Sequence, residues 1–244
     1  FGDGISYKVE LYQRKEEDGM KIKAAIFDMD GVILDSMKMW GGLASEFLKE
    51  SGKTPDEEVN KQLLMLSLRQ SAELLKEHYG YEESVDEIIA QINAKIDYFY
   101  RYLVMLKKGA MDGITNLVYN DVKVCVLTAT ERTLARAALR RTDIIEIFSF
   151  LTTCEEVGLA KDNSEIFDLV RDKIVDKEYL DVEDNSEILV VEDSYLAMKA
   201  AKEAGYTVCG VFDEVQAVSR DKIEEICDFT VESLVEILDK IKWI

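Results

Sequence analysis

The chain is short of the groups that mark several functional classes. Its 244 residues include one histidine, one proline and four cysteines, and no apolar run approaches the ~18 residues that a membrane span needs. No signal-peptide pattern opens it. Cys125, Cys154, Cys209 and Cys227 form neither a C-x-x-C pair nor a metal-ligand spacing, so they read as reduced core thiols. Positive charge is scarce as well. Thirty Lys plus Arg stand against 49 Asp plus Glu, a net charge of −19, which repels nucleic-acid phosphates and anionic lipid. The expectation is a cytoplasmic protein with no nucleic-acid or membrane partner. A small anionic substrate would then need a local positive site, made by a metal or a buried lysine.

What is present is enough for a packed core. Hydrophobic residues make up 48% of the chain against 32% charged ones, which fits a soluble globule, and the length suggests two unequal domains. Between Ser36 and Gly109 the pattern is helical throughout. Met37, Trp40, Leu43, Ala44, Phe47 and Leu48 recur at helical spacing and stop before Gly52; Thr54-Pro55-Asp56-Glu57 then reads as a capping box with proline at the first helical position. Ser67 with Gln70 and Ser84 with Glu87 repeat the cap signature. Val85, Ile88, Ile89, Ile92, Ile96, Phe99 and Leu103 mark one face of a long last helix, giving a bundle of about four helices.

The remainder alternates. β-rich apolar runs at Ala24 to Phe27, Val122 to Leu127, Phe148 to Thr152, Ile188 to Val191 and Thr207 to Phe212 are separated by helical patterns such as Leu134 to Leu139 and Ile166 to Ile174. Continuous Val/Ile/Leu runs suit strands covered on both faces, so the expected fold is α/β, a Rossmann-like parallel sheet with helices on each side. The expected layout is a core of residues 20–36 and 108–244 and an inserted all-helical cap of residues 37–107, with hinges at Ser36 to Met37 and Lys107 to Gly113. Residues 1–19, where Ile5, Tyr7, Val9 and Leu11 alternate with polar residues, read equally as an edge strand or a leader.

In such sheets ligands bind beyond the carboxyl ends of the strands. Three of those ends carry polar groups: Asp28 and Asp30, Thr128 and Thr130, Glu192 and Asp193. Lys161 follows the third strand. "DMDGV", "LTATERT", "GLAKDNSEIF" and "VVEDSYLAMKAAKEAG" resemble, in order and spacing, the four motifs of the haloacid dehalogenase superfamily, in its β-phosphoglucomutase-like branch with a helical cap.

The resemblance implies a Mg²⁺-dependent phosphatase of a small phosphorylated metabolite, with Asp28 as nucleophile and Asp30 as acid and base. Thr128 and Lys161 would hold the transferring phosphoryl group, with Ala129 beside them as a substrate-binding position. Asp28, Asp30 and Asp193 would bind the metal, and Glu192 would orient the metal shell or Lys161. Such a site meets the needs of the chemistry, since a carboxylate can attack a phosphate dianion only when cations offset both charges. Gly31 would let the backbone turn tightly after the acids.

Several positions depart from the family pattern. A proline usual after the lysine is replaced by Asp162-Asn163-Ser164, and a glycine of the fourth motif is Ala197. The histidine of the sugar phosphomutases is Trp40, and the lone His78 reads as a surface helix residue. A phosphomutase and a non-catalytic phosphate-ligand binder on the same scaffold therefore remain as alternatives. Asp35 is expected to cap the first cap helix or its hinge. Arg69 stands between a substrate clamp and a solvated residue. The expected assembly state is a monomer or a weak homodimer.

Overall fold

The computed structural model describes residues 22–56, 58–59, 63, 68–213 and 218–241. The alternating reading of 5–11 and the Ser67 cap fall outside them. Six strands form one parallel sheet: β1 (Ala24–Phe27), β2 (Lys123–Thr128), β3 (Leu151–Thr153), β4 (Ile188–Glu192), β5 (Thr207–Val211) and β6 (Phe229–Val231), ordered β3-β2-β1-β4-β5-β6. All four residues of β1 and all five of β4 are buried, as expected of strands covered on both faces. Phe27 pairs with Val126 on one side and Val191 on the other, so Asp28, Thr128 and Glu192 emerge at the same edge.

Strand ends shift by one residue at β2, β4 and β5, and β3 and β6 differ more from the sequence reading. The third strand begins at Leu151; Phe148, counted with it, follows a 3₁₀ turn and is buried edge-on against Phe27 at 6.3 Å. Its apolar side chain serves the core from outside the ladder. β6 was not anticipated, because three residues are too short to show a period.

The cap follows β1. It contains α1 (Met37–Glu50), α2 (Leu68–Tyr79) and α3 (Val85–Tyr98), the last running into a π-helical turn, Phe99–Leu103. The Ser84–Glu87 capping box forms as expected. The one proposed at Thr54 does not initiate the next helical stretch. Instead Asp56 Oδ1 accepts the N–H groups of Glu58 at 2.9 Å and Val59 at 3.0 Å, because its short carboxylate reaches the first free amides directly. Asp35 likewise is not the cap of α1. Ser36 holds that position, while Asp35 lies exposed and its N–H bonds Met105 O at 2.9 Å. The chain enters and leaves the cap side by side, with Leu34 bridged to Leu106 and Lys107 N–H bonded to Ile33 O.

The core helices are α4 (Ala110–Tyr119), α5 (Arg132–Arg141), the single turn α6 (Cys154–Val157), α7 (Glu165–Glu178), α8 (Tyr195–Glu203), α9 (Arg220–Ile226) and α10 (Ile237–Ile241). Alternate residues of β1 face opposite layers. Ala25 and Phe27 pack with Ile114, Leu139 and Ile237 of α4, α5 and α10, and Ala24 and Ile26 with Phe167, Met198 and Ile223 of α7, α8 and α9. Among the described residues no helix is long and apolar enough to cross a membrane.

The α4 contact is tight enough to test. A Cβ on Gly113 would sit 2.4 Å from the backbone carbon of Leu234, whereas one on Gly42 in α1 would meet nothing within 4 Å. Gly113→Ala should therefore destabilise by roughly 1–3 kcal/mol, lowering Tm by about 2–4 °C per kcal/mol. Gly42→Ala should be neutral or stabilising by up to ~1 kcal/mol, since a helix interior favours alanine. Thermal melts of the two variants check the pair.

Candidate active site

After β1 the chain turns sharply. Ile33 and Leu34 N–H both reach back to Met29 O, at 3.0 and 2.9 Å, and Gly31 takes φ +80°. Glycine is required twice over here, because a Cβ would also lie 2.1 Å from Asp193 Oδ2. The turn leaves the two acids pointing into different surroundings.

Asp28 joins Glu192 and Asp193 in a buried cluster whose ligand atoms all lie within 4.8 Å of one another. Lys161 reaches it from the loop between α6 and α7. Its Nζ is 2.5 Å from Asp28 Oδ1 and also bonds Glu192 Oε1, and its side chain is only 12% exposed. Asp162 is exposed and does not compete for the ammonium. Next along the chain, Asn163 Oδ1 accepts Glu165 N–H at 3.0 Å, spanning Ser164, the N-cap of α7. Glu192 Oε2 accepts the N–H groups of Asp193 and Ser194, both at 3.1 Å, which folds that carboxylate over the start of α8.

Burial and crowding of like charge set the protonation of this group. Burial, with Glu192, Asp193 and Asp30 nearby, pushes the Asp28 carboxyl well above its ordinary value despite Lys161. Burial and Glu192 push Asp193 up to about 7, against the opposing pull of Lys161 and Lys107. Burial works against the Lys161 ammonium, but the carboxylates of Asp28 and Glu192 outweigh it and hold it above the usual lysine range. Three carboxylates facing one ammonium leave an excess of negative charge, and their hard oxygen donors are those a divalent cation prefers. The residues fit such an ion.

Asp30, expected among the metal ligands, keeps its carboxylate out of this cluster, and Glu192, expected to act from outside, stands within it. The reason is local. Asp30 Oδ1 accepts from Ser36 Oγ and Tyr100 OH, each at 2.6 Å, and Oδ2 accepts from Thr130 Oγ1 at 2.7 Å. Thr128 is buried and accepts Thr130 N–H at 3.0 Å, while Ala129 is exposed at the rim. Arg69 is exposed and ion-paired with Asp86 at 2.8 Å, a contact that engages its guanidinium on the cap surface. His78 is also exposed, its ring against Tyr79.

Two contributors escaped the sequence reading. Lys107 Nζ bonds Gly31 O at 2.6 Å and Phe212 O at 3.0 Å and pairs with Asp213 at 3.0 Å, tying the return crossing of the cap to the acid turn and to the end of β5. Tyr100 was hidden by its neighbours. Phe99 and Leu103 were expected to continue the apolar face of α3, but Tyr100, four residues after Ile96, follows Ile88, Ile92 and Ile96 inward, while Leu103 at the end of the π turn is 52% exposed.

Comparison with known proteins agrees with this geometry. The profile of the family described as "Haloacid dehalogenase-like hydrolase" matches residues 25–211. A phosphorylated carbohydrates phosphatase of Thermotoga maritima is 25% identical over 75% of this chain and 82% of its own length. A Drosophila melanogaster protein assigned as a pseudouridine-5'-phosphatase is 28% identical over 79% of this chain and 83% of its own. A solved structure from Thermotoga maritima, assigned as a beta-phosphoglucomutase, superposes with TM-score 0.76 at 22% identity, covering 91% of this chain and 100% of that one.

The raised carboxyls carry a stability consequence. Between the ordinary carboxyl range and about pH 7, the metal-free folded state holds a proton on Asp193 that the unfolded chain has released, and the raised Asp28 carboxyl acts in the same direction. Stability therefore falls as pH rises through that window. Melts in EDTA should show Tm dropping by several degrees from pH 5 to pH 8, and Asp193→Asn should flatten that slope. Equal slopes in both proteins would contradict the assignment.

Proposed function

The chain belongs to the haloacid dehalogenase-like hydrolases, and on that premise we propose that it is a Mg²⁺-dependent phosphatase of small phosphorylated metabolites, acting through a phosphoryl group carried on Asp28. The observation that supports this most is the pairing of Lys161 with Asp28 inside the carboxylate cluster. It gives a nucleophile and a fixed positive charge in one buried place. Asp28 and Asp193, with Glu192 beside them, would hold the ion. When bound, it would offset the negative charge of carboxylates and phosphate together.

Each residue then has a part. Lys161 holds one oxygen of Asp28 and keeps the carboxylate aimed. Asp28 attacks phosphorus, a bond forms between them, and the bond to the leaving oxygen breaks. Asp30 gives that oxygen its proton, releasing the alcohol. Water then attacks the phosphorus; Asp30 takes its proton and the Asp28 carboxylate departs. The Thr128 hydroxyl, at the end of the adjacent strand, would hold a phosphoryl oxygen, and the exposed Ala129 borders the same rim.

Hydrolysis is favoured over transfer between sugar positions. Trp40 stands where the mutases carry a histidine, and its indole N–H is spent on Tyr100 OH at 3.1 Å; it can donate a hydrogen bond but cannot take a proton. The two sequence relatives that act on a phosphorylated carbohydrate and a phosphorylated nucleoside support a small hydroxylated substrate. All four cysteines are free, which suits the reducing cytoplasm proposed as its setting.

Phosphate release from a panel of sugar and nucleoside monoesters, with Mg²⁺ and with EDTA, tests the proposal. Turnover should require the ion. Asp28→Asn should lower kcat by about a thousandfold or more with an unchanged far-ultraviolet circular dichroism spectrum. A variant that keeps wild-type turnover would end the proposal.

A further inference from the structure

The acid–base residue is held partly from outside its own domain. Asp30 receives three hydroxyl donors: Thr130 from the end of β2, Ser36 from the entry to the cap, and Tyr100 from the cap itself. Ser36 and Tyr100 are both fully buried, and Tyr100 lies in the π turn that ends α3, a distortion that recurs at functional sites.

The direction of the hydrogen bonds is fixed by chemistry. An indole N–H can only donate. Trp40 Nε1 gives its proton to Tyr100 oxygen at 3.1 Å, so the Tyr100 hydroxyl must spend its own on Asp30 Oδ1 at 2.6 Å. Oδ1 then accepts from both Tyr100 and Ser36, which uses its two lone-pair directions. Oδ2 accepts only from Thr130 among the described residues and keeps a free direction.

We propose that Tyr100, aligned by Trp40, is the positioning residue through which the cap orients Asp30, leaving Oδ2 as the oxygen that exchanges the proton with the leaving group. This rests on the phosphatase reading above. In the step concerned, the phosphorus–oxygen bond to the leaving group breaks as the bond to Asp28 forms, and a proton passes from Asp30 Oδ2 to the leaving oxygen. Tyr100 touches neither substrate nor phosphorus. It acts only by holding Oδ1.

A leaving-group comparison tests the inference. p-Nitrophenolate departs without a proton, whereas a sugar alkoxide needs one, so misplacing Asp30 should injure the second reaction more. Tyr100→Phe keeps the ring and removes the donor. The ratio of kcat/KM for a hexose 6-phosphate to that for p-nitrophenyl phosphate should fall by about tenfold, within the range a general acid contributes. Trp40→Phe should shift the same ratio in the same direction by a smaller factor, and serves if the first variant melts far below the wild type. A ratio unchanged in both variants, whether through equal losses on the two esters or no loss on either, would overturn the inference. A wild type that hydrolyses neither ester would overturn it together with the phosphatase reading.

Discussion

Burying three carboxylates around one ammonium is the constraint on which the rest of the molecule is arranged. Asp28, Glu192 and Asp193 repel one another in a place that water barely reaches, and Lys161 offsets only part of that charge. Every nearby element serves to hold the group together. The in-register pairing of β1 with β4 sets two of the acids side by side, Gly31 lets the chain pass under Asp193, and the two residues before α8 lend their amides to Glu192. A divalent cation would offset that excess of negative charge.

Two acids separated by one residue end in unlike environments. Met29, wholly buried, lies between them. Asp28 faces charge: an ammonium and two more carboxylates. Asp30 faces hydroxyl groups from Ser36, Tyr100 and Thr130. On the proposed mechanism that contrast would divide the labour of phosphoryl transfer, because a nucleophile needs its charge balanced and a proton carrier needs its geometry held. The turn at Gly31 creates the division, by sending the chain off the sheet directly after the second acid.

Much of this was legible in residue order. Continuous apolar runs announced strands buried on both faces, and polar residues just beyond them announced the site, because a parallel sheet delivers all its carboxyl ends to one edge. Lys161 was legible through its motif despite the missing proline, and its ammonium meets Asp28 and Glu192. What stayed hidden depends on partners distant in sequence. Arg69 reads alike whether it meets a substrate or Asp86, and Lys107 gives no sign that it will bridge Gly31 and Asp213. Tyr100 was masked by a different cause. The face marked on Phe99 and Leu103 passes over it, although Tyr100 keeps the spacing of four from Ile96.

The placement of β1 has a consequence for how the polypeptide is made. This strand lies at the centre of the sheet, yet Ala24 pairs with Lys123 and Ile188, so its neighbours leave the ribosome long after it does. The cap, whose contacts run among helices close in the chain, can assemble during that delay. Its two ends meet at Leu34 and Leu106, and closing them brings the start of β2 back toward β1. The inserted bundle therefore shortens the search by which the central strand finds its first partner, and vectorial synthesis favours building the lid before the floor.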